Sequence, residues 1–454
     1  MINSQKYILC LFFLYSLAIS EPLTVKPLFF VNYSSNGNDW VYDKEPITSF
    51  GAGFNFNFTK KPWTIEGQYI QLGFLGNINN GLFEFSDTKS LAYLDDSKDA
   101  DGYWTETVNA KVIYHFNTIQ FQFGIFDREW GYGNRAIHIS NKTPSYPQIG
   151  IEWRIKENLN FLFFHGFLNS GIIDSGLTIL YENQISSRFL NISRNISAHR
   201  IEWIPTEKIS VGINETVIYG SRELDIHYLI PIAPFYPIEN YLGDTDNLQM
   251  GLDMMYSLSE KQYIYIAFFM DELTPEWLFD KKNHNWFAWQ FGYKHHNFLI
   301  NNSNLLLEYN WTDQRIYQHK FAINNFYSHG QPLGFWAGPH AEEILFQYFI
   351  PLKLNIFKIK YSFAKRGFVS QGAVANNYND TYNKRYSDGY EIRNYIDLKL
   401  ILQSKSINGL EYLIGGNRVI FESTGFDKSI NLFNTNKFSF EFAVSYNLFK
   451  SQIR

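Results

Sequence analysis

The chain is poor in the features that usually carry chemistry or staple a fold. One cysteine, Cys10, stands in 454 residues, so no disulfide framework supports it. No uninterrupted apolar run approaches the roughly twenty residues of a membrane-spanning helix. Basic residues show no excess: 39 Lys and Arg face 44 Asp and Glu, which disfavours a nucleic-acid partner. HExxH, a phosphate-binding Walker loop, a GxSxG elbow and a CxxC pair are all missing, and with them the common metalloprotease, nucleotide and hydrolase signals. No repeat of fixed period points to a propeller or solenoid. No linker divides the chain. What it has in quantity is aromatic residues: 11 Trp, 31 Tyr and 42 Phe, 19% of the sequence, a composition suited to pleated strands.

Residues 1–20 read as a secretory leader. Lys6 supplies the positive start, Tyr7 to Ile19 the apolar stretch, and Ala18-Ile19-Ser20 the small-residue cleavage pattern before Glu21. Cys10 falls within that leader, and bulky Leu9 before it argues against lipid attachment. The expected mature chain, 21–454, then forms one domain without cysteine. Its 38 basic and 44 acidic side chains give a formal charge of −6, because Lys6 leaves with the leader.

Beyond the leader, apolar residues alternate with small or polar ones. Phe50, Ala52, Phe54, Phe56 and Phe58 make one such stripe, and Val108 to Phe116, Ile119 to Ile125, Ile149 to Ile155, Ile209 to Ile213, Ile392 to Leu402 and Phe438 to Leu448 make others. About sixteen to twenty strands emerge, each near the ~9–11 residues that cross a bilayer on a tilt. Trp63, Trp104, Trp130, Trp153, Trp203, Trp277, Trp286, Trp289 and Trp311 lie near turns, where an interfacial girdle belongs. The pattern predicts an all-β, transmembrane antiparallel barrel in preference to a soluble β protein.

Isolated polar groups give weak signals. His295 and His296 point to opposite faces of a strand, and a lumen cluster with His284, His329 and His340 is outweighed by ordinary polar filling, so no metal or cofactor is expected. Gly131-Tyr132-Gly133 lacks the third glycine of a dinucleotide loop and reads as a loop or bend. Asp244, Asp246 and Asn247 resemble part of a calcium loop without its glycine and terminal Glu. Asp271, Glu272 and Glu276 are carboxylates at a strand end, a pattern open to a hydrolase but more often solvated or paired with arginine.

Several stretches together resemble the Wzi-type capsule-assembly outer-membrane barrels, in the versions of Bacteroidota-like bacteria. They are His199 to Pro205 with Gly212 to Gly220 and Tyr228 to Pro231; Phe235-Tyr236, Glu239 and Gly243 to Asn247 with Met270 to Leu273; Tyr327 to Gly334 with Trp336, Gly338-Pro339 and Glu342-Glu343; and, more loosely, Trp130 to Gly133, Ile137 to Ser140 and Pro144 to Gln148. The matches run in order from about 130 to 345. Ile230 precedes Pro231 where relatives carry Asn, and Phe335 follows Gly334 where they carry His.

The resemblance implies about eighteen strands in the bacterial outer membrane and a lectin-like, non-enzymatic role in assembling or retaining capsular or exopolysaccharide. Its partners would be that polysaccharide and outer-membrane lipid, with the barrel monomeric. Sugar recognition calls for aromatic faces and planar polar groups. The positions matching the family segments are Glu215, Tyr219, Arg222, Tyr236, Asp244, Asp246, Asn247, Asp271, His329, Gln331 and Trp336, either as polysaccharide contacts or as a lumen network. A porin-like solute channel and a carboxylate-dependent hydrolase using Asp271 and Glu272 are the rival readings. Lys365-Arg366 and Lys384-Arg385 are the basic pairs nearest to a patch for acidic glycan.

Overall fold

The computed structural model describes residues 23–37, 45–76, 78, 85–96, 102–182, 188–271, 285–368, 374, 384–425 and 435–447. The leader, Glu272, Glu276, Trp277, His284 and the last residues, 448–454, lie outside them.

Eighteen long strands follow one another in an antiparallel meander. They are β1 (Leu23–Ser34), β2 (Ile47–Lys60), β3 (Trp63–Leu75), β4 (Gly102–Phe116), β5 (Ile119–Phe126), β6 (Tyr146–Lys156), β7 (Leu159–Ile173), β8 (Asn191–Thr206) and β9 (Ile209–Gly220). The second half comprises β10 (Asn247–Ser259), β11 (Gln262–Asp271), β12 (Trp286–His296), β13 (Asn304–Thr312), β14 (Ala341–Leu352), β15 (Asn355–Gly367), β16 (Tyr390–Gln403), β17 (Leu410–Thr424) and β18 (Thr435–Tyr446). Each pairs with its neighbours in sequence, and β1 also pairs with β18, Val31 opposite Val444, so the sheet closes without an edge.

Alternation sorts the side chains. Phe50, Phe54 and Phe56 share the outer face of β2 while Gly51, Gly53 and Asn55 point inward, and the register carries this division from strand to strand. Across β8, β9 and β10 the outward row Ile201, Ile213 and Leu252 is 45%, 55% and 45% exposed, as lipid-facing positions are. The stripes read from the sequence lie on this face. Trp63, Trp153 and Trp203 lie near the short-turn rim and Trp104, Trp289 and Trp311 toward the other, on the outside. Trp130 and Trp286 depart from the expected girdle: they are buried in the core inside the barrel.

The two rims differ. One carries short turns such as Lys61-Pro62, Asn117-Thr118 and Glu157-Asn158. The other carries nine longer connections, L1 to L9, among them L2 (76–101), L3 (127–145), L5 (221–246), L7 (313–340) and L8 (368–389). In the orientation common to such barrels, short turns face the periplasm and long loops the outside.

Candidate functional site: a plugged lumen

L3 and L7 turn inward. Ile137, Ile316, Tyr317, Phe326 and Phe335 of these loops pack against the inward residues Phe164, Ile196, Ile218, Phe269 and Val419, and all five loop side chains are fully enclosed. Apolar side chains in a loop have only two places to go, lipid or a core, and here they make a core within the lumen. Tyr317 ties the two loops together. Its hydroxyl donates to the Ile137 carbonyl (2.8 Å) and accepts from the Phe335 amide (3.1 Å), while Ser140 bonds the carbonyls of Leu333 (2.7 Å) and Gly334 (2.6 Å).

The wall grips the plug through charged side chains. Glu308 of β13 accepts from the Asn134 and Arg135 amides at 2.7 and 3.0 Å and from the Tyr265 hydroxyl. Gln290 donates to the Arg135 carbonyl, and its side-chain amide packs closely over Gly133. Arg135 pairs with Asp87 of L2 and with Glu343 of β14 (3.2 Å); Lys360 and Arg393 of the wall also reach Asp87. Burial alone would raise the Asp87 carboxyl, but the three cations hold it well below the usual carboxylate range. Opposite, Arg200 clamps Asp253 at 2.5 and 2.8 Å, and buried His138 lies 3.4 Å from the same carboxylate. Burial keeps His138 and, down to about 3, His319 below the ordinary imidazole value. Arg194 of β8 donates to the carbonyls of Ala322, Ile323 and Tyr327, fastening L7.

Below this plug lies a cavity of about 1230 Å³ between the inner faces of β2 to β5 and the segments 89–92 and 141–145. Its polar lining is rich in amides, with Asn55, Asn57, Gln68, Asn109 and Asn141 among them. Gln68 donates to Asn55 (2.9 Å), Asn109 to Asp127 (3.1 Å), and the pairs Lys89–Asp127 (2.6 Å) and Lys111–Glu66 (3.3 Å) balance charge. Planar amides beside paired charges suit a neutral polyhydroxylated solute. Sequence reasoning passed over these residues; the signal was the polar alternate of the aromatic stripes, Asn55 and Asn57 between Phe54, Phe56 and Phe58.

The residues singled out by sequence separate into two groups. Glu215 and Tyr219 point outward from β9, not into the lumen, and lie beneath L5, the loop that carries Arg222, Tyr236 and Asp246. Glu215 accepts the amides of Phe235 and Tyr236 at the start of the helix Phe235–Leu242 (2.8 and 2.9 Å) and pairs with His199 (2.9 Å). Arg222 binds Asp246 through two bonds (2.8 and 2.6 Å) and lies 4.7 Å over the Tyr219 ring, while the Tyr228 hydroxyl donates to Asp246 (2.7 Å). Asp246 is thus an ion-pair partner inside L5, and the calcium-loop likeness has no support there; Asp244 is exposed on the same loop. The other group holds the plug. Asn247 donates to the Asn324 carbonyl (2.9 Å) and Asp271 accepts the Tyr317 amide (2.6 Å). Trp336, buried and stacked on Phe85, donates to Glu343 (2.8 Å). His329 and Gln331 belong to a two-stranded hairpin of L7 whose tip has positive φ at His329 and Gly330, the backbone of a type I′ turn.

Other signals dissolve. His295 and His296 sit near the short-turn rim and His329 and His340 near the loop rim, and no group of three metal-ligating side chains occurs among the described residues. Lys365 lies over the rings of Tyr386 and Tyr390, Arg366 pairs with Glu391 (2.7 Å), and Arg385 donates to the carbonyls of Thr312 and Ala341, so three of the four basic residues are engaged within the fold.

No protein-family model matches this sequence, and no curated protein matches it. Solved structures do resemble it. Wzi of Escherichia coli, described as an outer membrane protein involved in group 1 capsule assembly and as a carbohydrate-binding β-barrel, superposes with a TM-score of 0.58 at 11% identity, over 99% of this chain and 89% of Wzi. OccAB2 of Acinetobacter baumannii gives 0.51 at 9% identity, over 94% of this chain and 98% of that one. OccD3 of Pseudomonas aeruginosa gives 0.50 at 9%, over 95% and 93%. At these identities the likeness is one of architecture. The chain has the closed, eighteen-stranded antiparallel fold of outer-membrane barrels.

Proposed function

We propose that this protein, exported by a Sec-type leader, is a non-enzymatic, monomeric outer-membrane barrel that retains or helps assemble polysaccharide at the cell surface. The observation that carries the reading is the packed plug: a lumen filled by Ile137, Ile316, Tyr317, Phe335 and Trp336 is built to close the barrel. A closed barrel displays its loops. In this reading exposed Asp244 of L5 and half-buried His329 and Gln331 of the L7 hairpin contact glycan, while the enclosed Trp336 and Asp246 hold those loops in position. Single-site glycan contacts are weak, and a polymer of repeating sugars accumulates them through multivalency. The resemblance to Wzi-type barrels supports the same reading.

The test compares the partition of surface polysaccharide between washed cells and medium in a deletion strain and in one complemented with the intact gene. Unchanged total polysaccharide that moves into the medium on deletion is the expected outcome. An unmoved partition with the barrel inserted would defeat the reading.

A second reading, a channel for a small solute, is favoured by the 1230 Å³ amide-lined cavity, since Asn57, Glu66 and Lys111 lie toward the short-turn rim from which a solute would enter or leave. It requires solute-dependent conductance.

A further inference from the structure

We propose that L5 is a lipid-contacting flap: it descends the outside of the barrel and presents an uncharged apolar face to the outer-leaflet interface, so that a loop supplies part of the protein's membrane surface.

On β7 to β10 the outward row Ile201, Ile213, Leu252 is exposed and apolar, but the next outward positions toward the loop rim are His199 and Glu215, followed by Ser197. Glu215 lies six residues above Ile209 at the short-turn end of β9. At ~3.4 Å per residue on a strand tilted by ~40°, that climb is ~15 Å, still within an apolar band ~25 Å tall. A bare carboxylate, imidazole and hydroxyl there would face acyl chains, which costs far more than facing water. They are covered instead. Tyr228 and Phe235 of L5 pack on Phe161, Phe163, Val217, Tyr219 and Leu248 of the outer wall, and His199 lies 4.5 Å from the Phe235 ring.

A loop that covers this patch takes its place in the membrane surface, and the composition of L5 fits. Residues 229–238 contain no charged side chain, and three of the chain's 14 prolines, Pro231, Pro234 and Pro237, stand among them. Proline has no amide hydrogen to leave unpaired, and the Phe235 and Tyr236 amides are taken by Glu215. Such backbone is tolerable at the headgroup and acyl boundary, where irregular structure is unacceptable in the deeper hydrocarbon. The outer face carries Ile226 and Ile232, 72% and 75% exposed, with Tyr241, 81% exposed, at an interfacial position. Charges gather toward both ends of the loop, where Arg222 pairs with Asp225 and with Asp246 and where Glu223 and Asp244 are exposed.

The test labels single cysteines with bimane in the otherwise complete chain, on a Cys10→Ser background, in phosphatidylethanolamine and phosphatidylglycerol nanodiscs. Ile232→Cys reports the flap, Ile226→Cys replaces it if the first variant does not fold, Ile213→Cys marks the lipid belt, and Glu207→Cys marks a turn in water. A nitroxide placed near the ester end of the lipid chain should quench the flap label about threefold more than the Glu207→Cys label, with iodide quenching reduced to match. Iodide quenching equal to that at Glu207→Cys overturns the proposal by placing L5 in water. Protection from both quenchers also overturns it, by showing a protein surface over the flap.

Discussion

At the scale of single residues, the plug is governed by charges that have been taken out of water and fully paired. Asp87 answers to Arg135, Lys360 and Arg393 at once. Replacing it by Asn removes the carboxylate that buried Arg393 and the partly buried Lys360 and Arg135 share, and breaking a buried pair costs about 3–5 kcal/mol. Asp87→Asn should lower stability by that order in denaturant unfolding of the detergent-solubilised barrel. His340 behaves differently. Its ring stacks on Tyr386 at 4.8 Å and accepts the Tyr386 amide at 3.1 Å, which requires the neutral form, and burial lowers its pKa from 6.5 to about 4. A base whose folded pKa is depressed gives its full stabilisation above the unfolded value and loses it as pH falls toward the folded one. Between pH 7 and pH 5 the loss at this site is about 2 kcal/mol. His340→Gln should remove that part of the pH dependence of thermal unfolding, while nitrogen-detected NMR finds the wild-type ring still neutral at pH 5. A ring already charged at pH 5 would refute the placement.

At the scale of elements, the strands were legible and the loops were not. Stripes such as Phe121, Phe123 and Ile125 announce themselves because lipid outside and polar lumen inside impose opposite demands on alternate residues. The same rule hides what happens where a loop covers the wall. Glu215 and Tyr219 sit on the outer face of β9, yet their polarity reads as lumen-facing until L5 is seen above them. In L7 the turn residues Gly330, Pro332, Gly338 and Pro339 read as shaping an inward loop, but the plug itself is not legible, although Ile137, Ile316, Tyr317 and Phe335 are apolar residues that a solvated loop has no use for. Trp336 stands out in the sequence only through the family resemblance, and in the structure its indole is enclosed and bonded to Glu343. Two tests belong at this scale. Tyr317→Phe removes the hydroxyl that joins L3 to L7 and leaves the Ile137 carbonyl and Phe335 amide unpaired, a loss of about 1–3 kcal/mol. Amide hydrogen exchange should quicken around 135–140 and 333–337 and stay unchanged in β2 to β4. Asp246→Ala strips Arg222 and Tyr228 of their shared acceptor, and limited proteolysis should then cut within 223–245 in a barrel that remains heat-resistant.

At the scale of the whole molecule, an edge-free sheet solves the backbone's hydrogen-bonding problem in lipid, and the inward loops decide what the resulting cylinder does. The upper lumen is filled by the inward loops, and an amide-lined cavity lies among the inner faces of β2 to β5. The most direct measurement is single-channel recording on the purified barrel in a planar bilayer, alone and with Glu308→Ala and Arg135→Ala combined to free L3 from the wall. The account expects an electrically silent wild-type barrel and stepwise conductance when the plug is loosened. A steady open conductance in the wild type, modulated by a small sugar, would contradict it and leave the protein a channel.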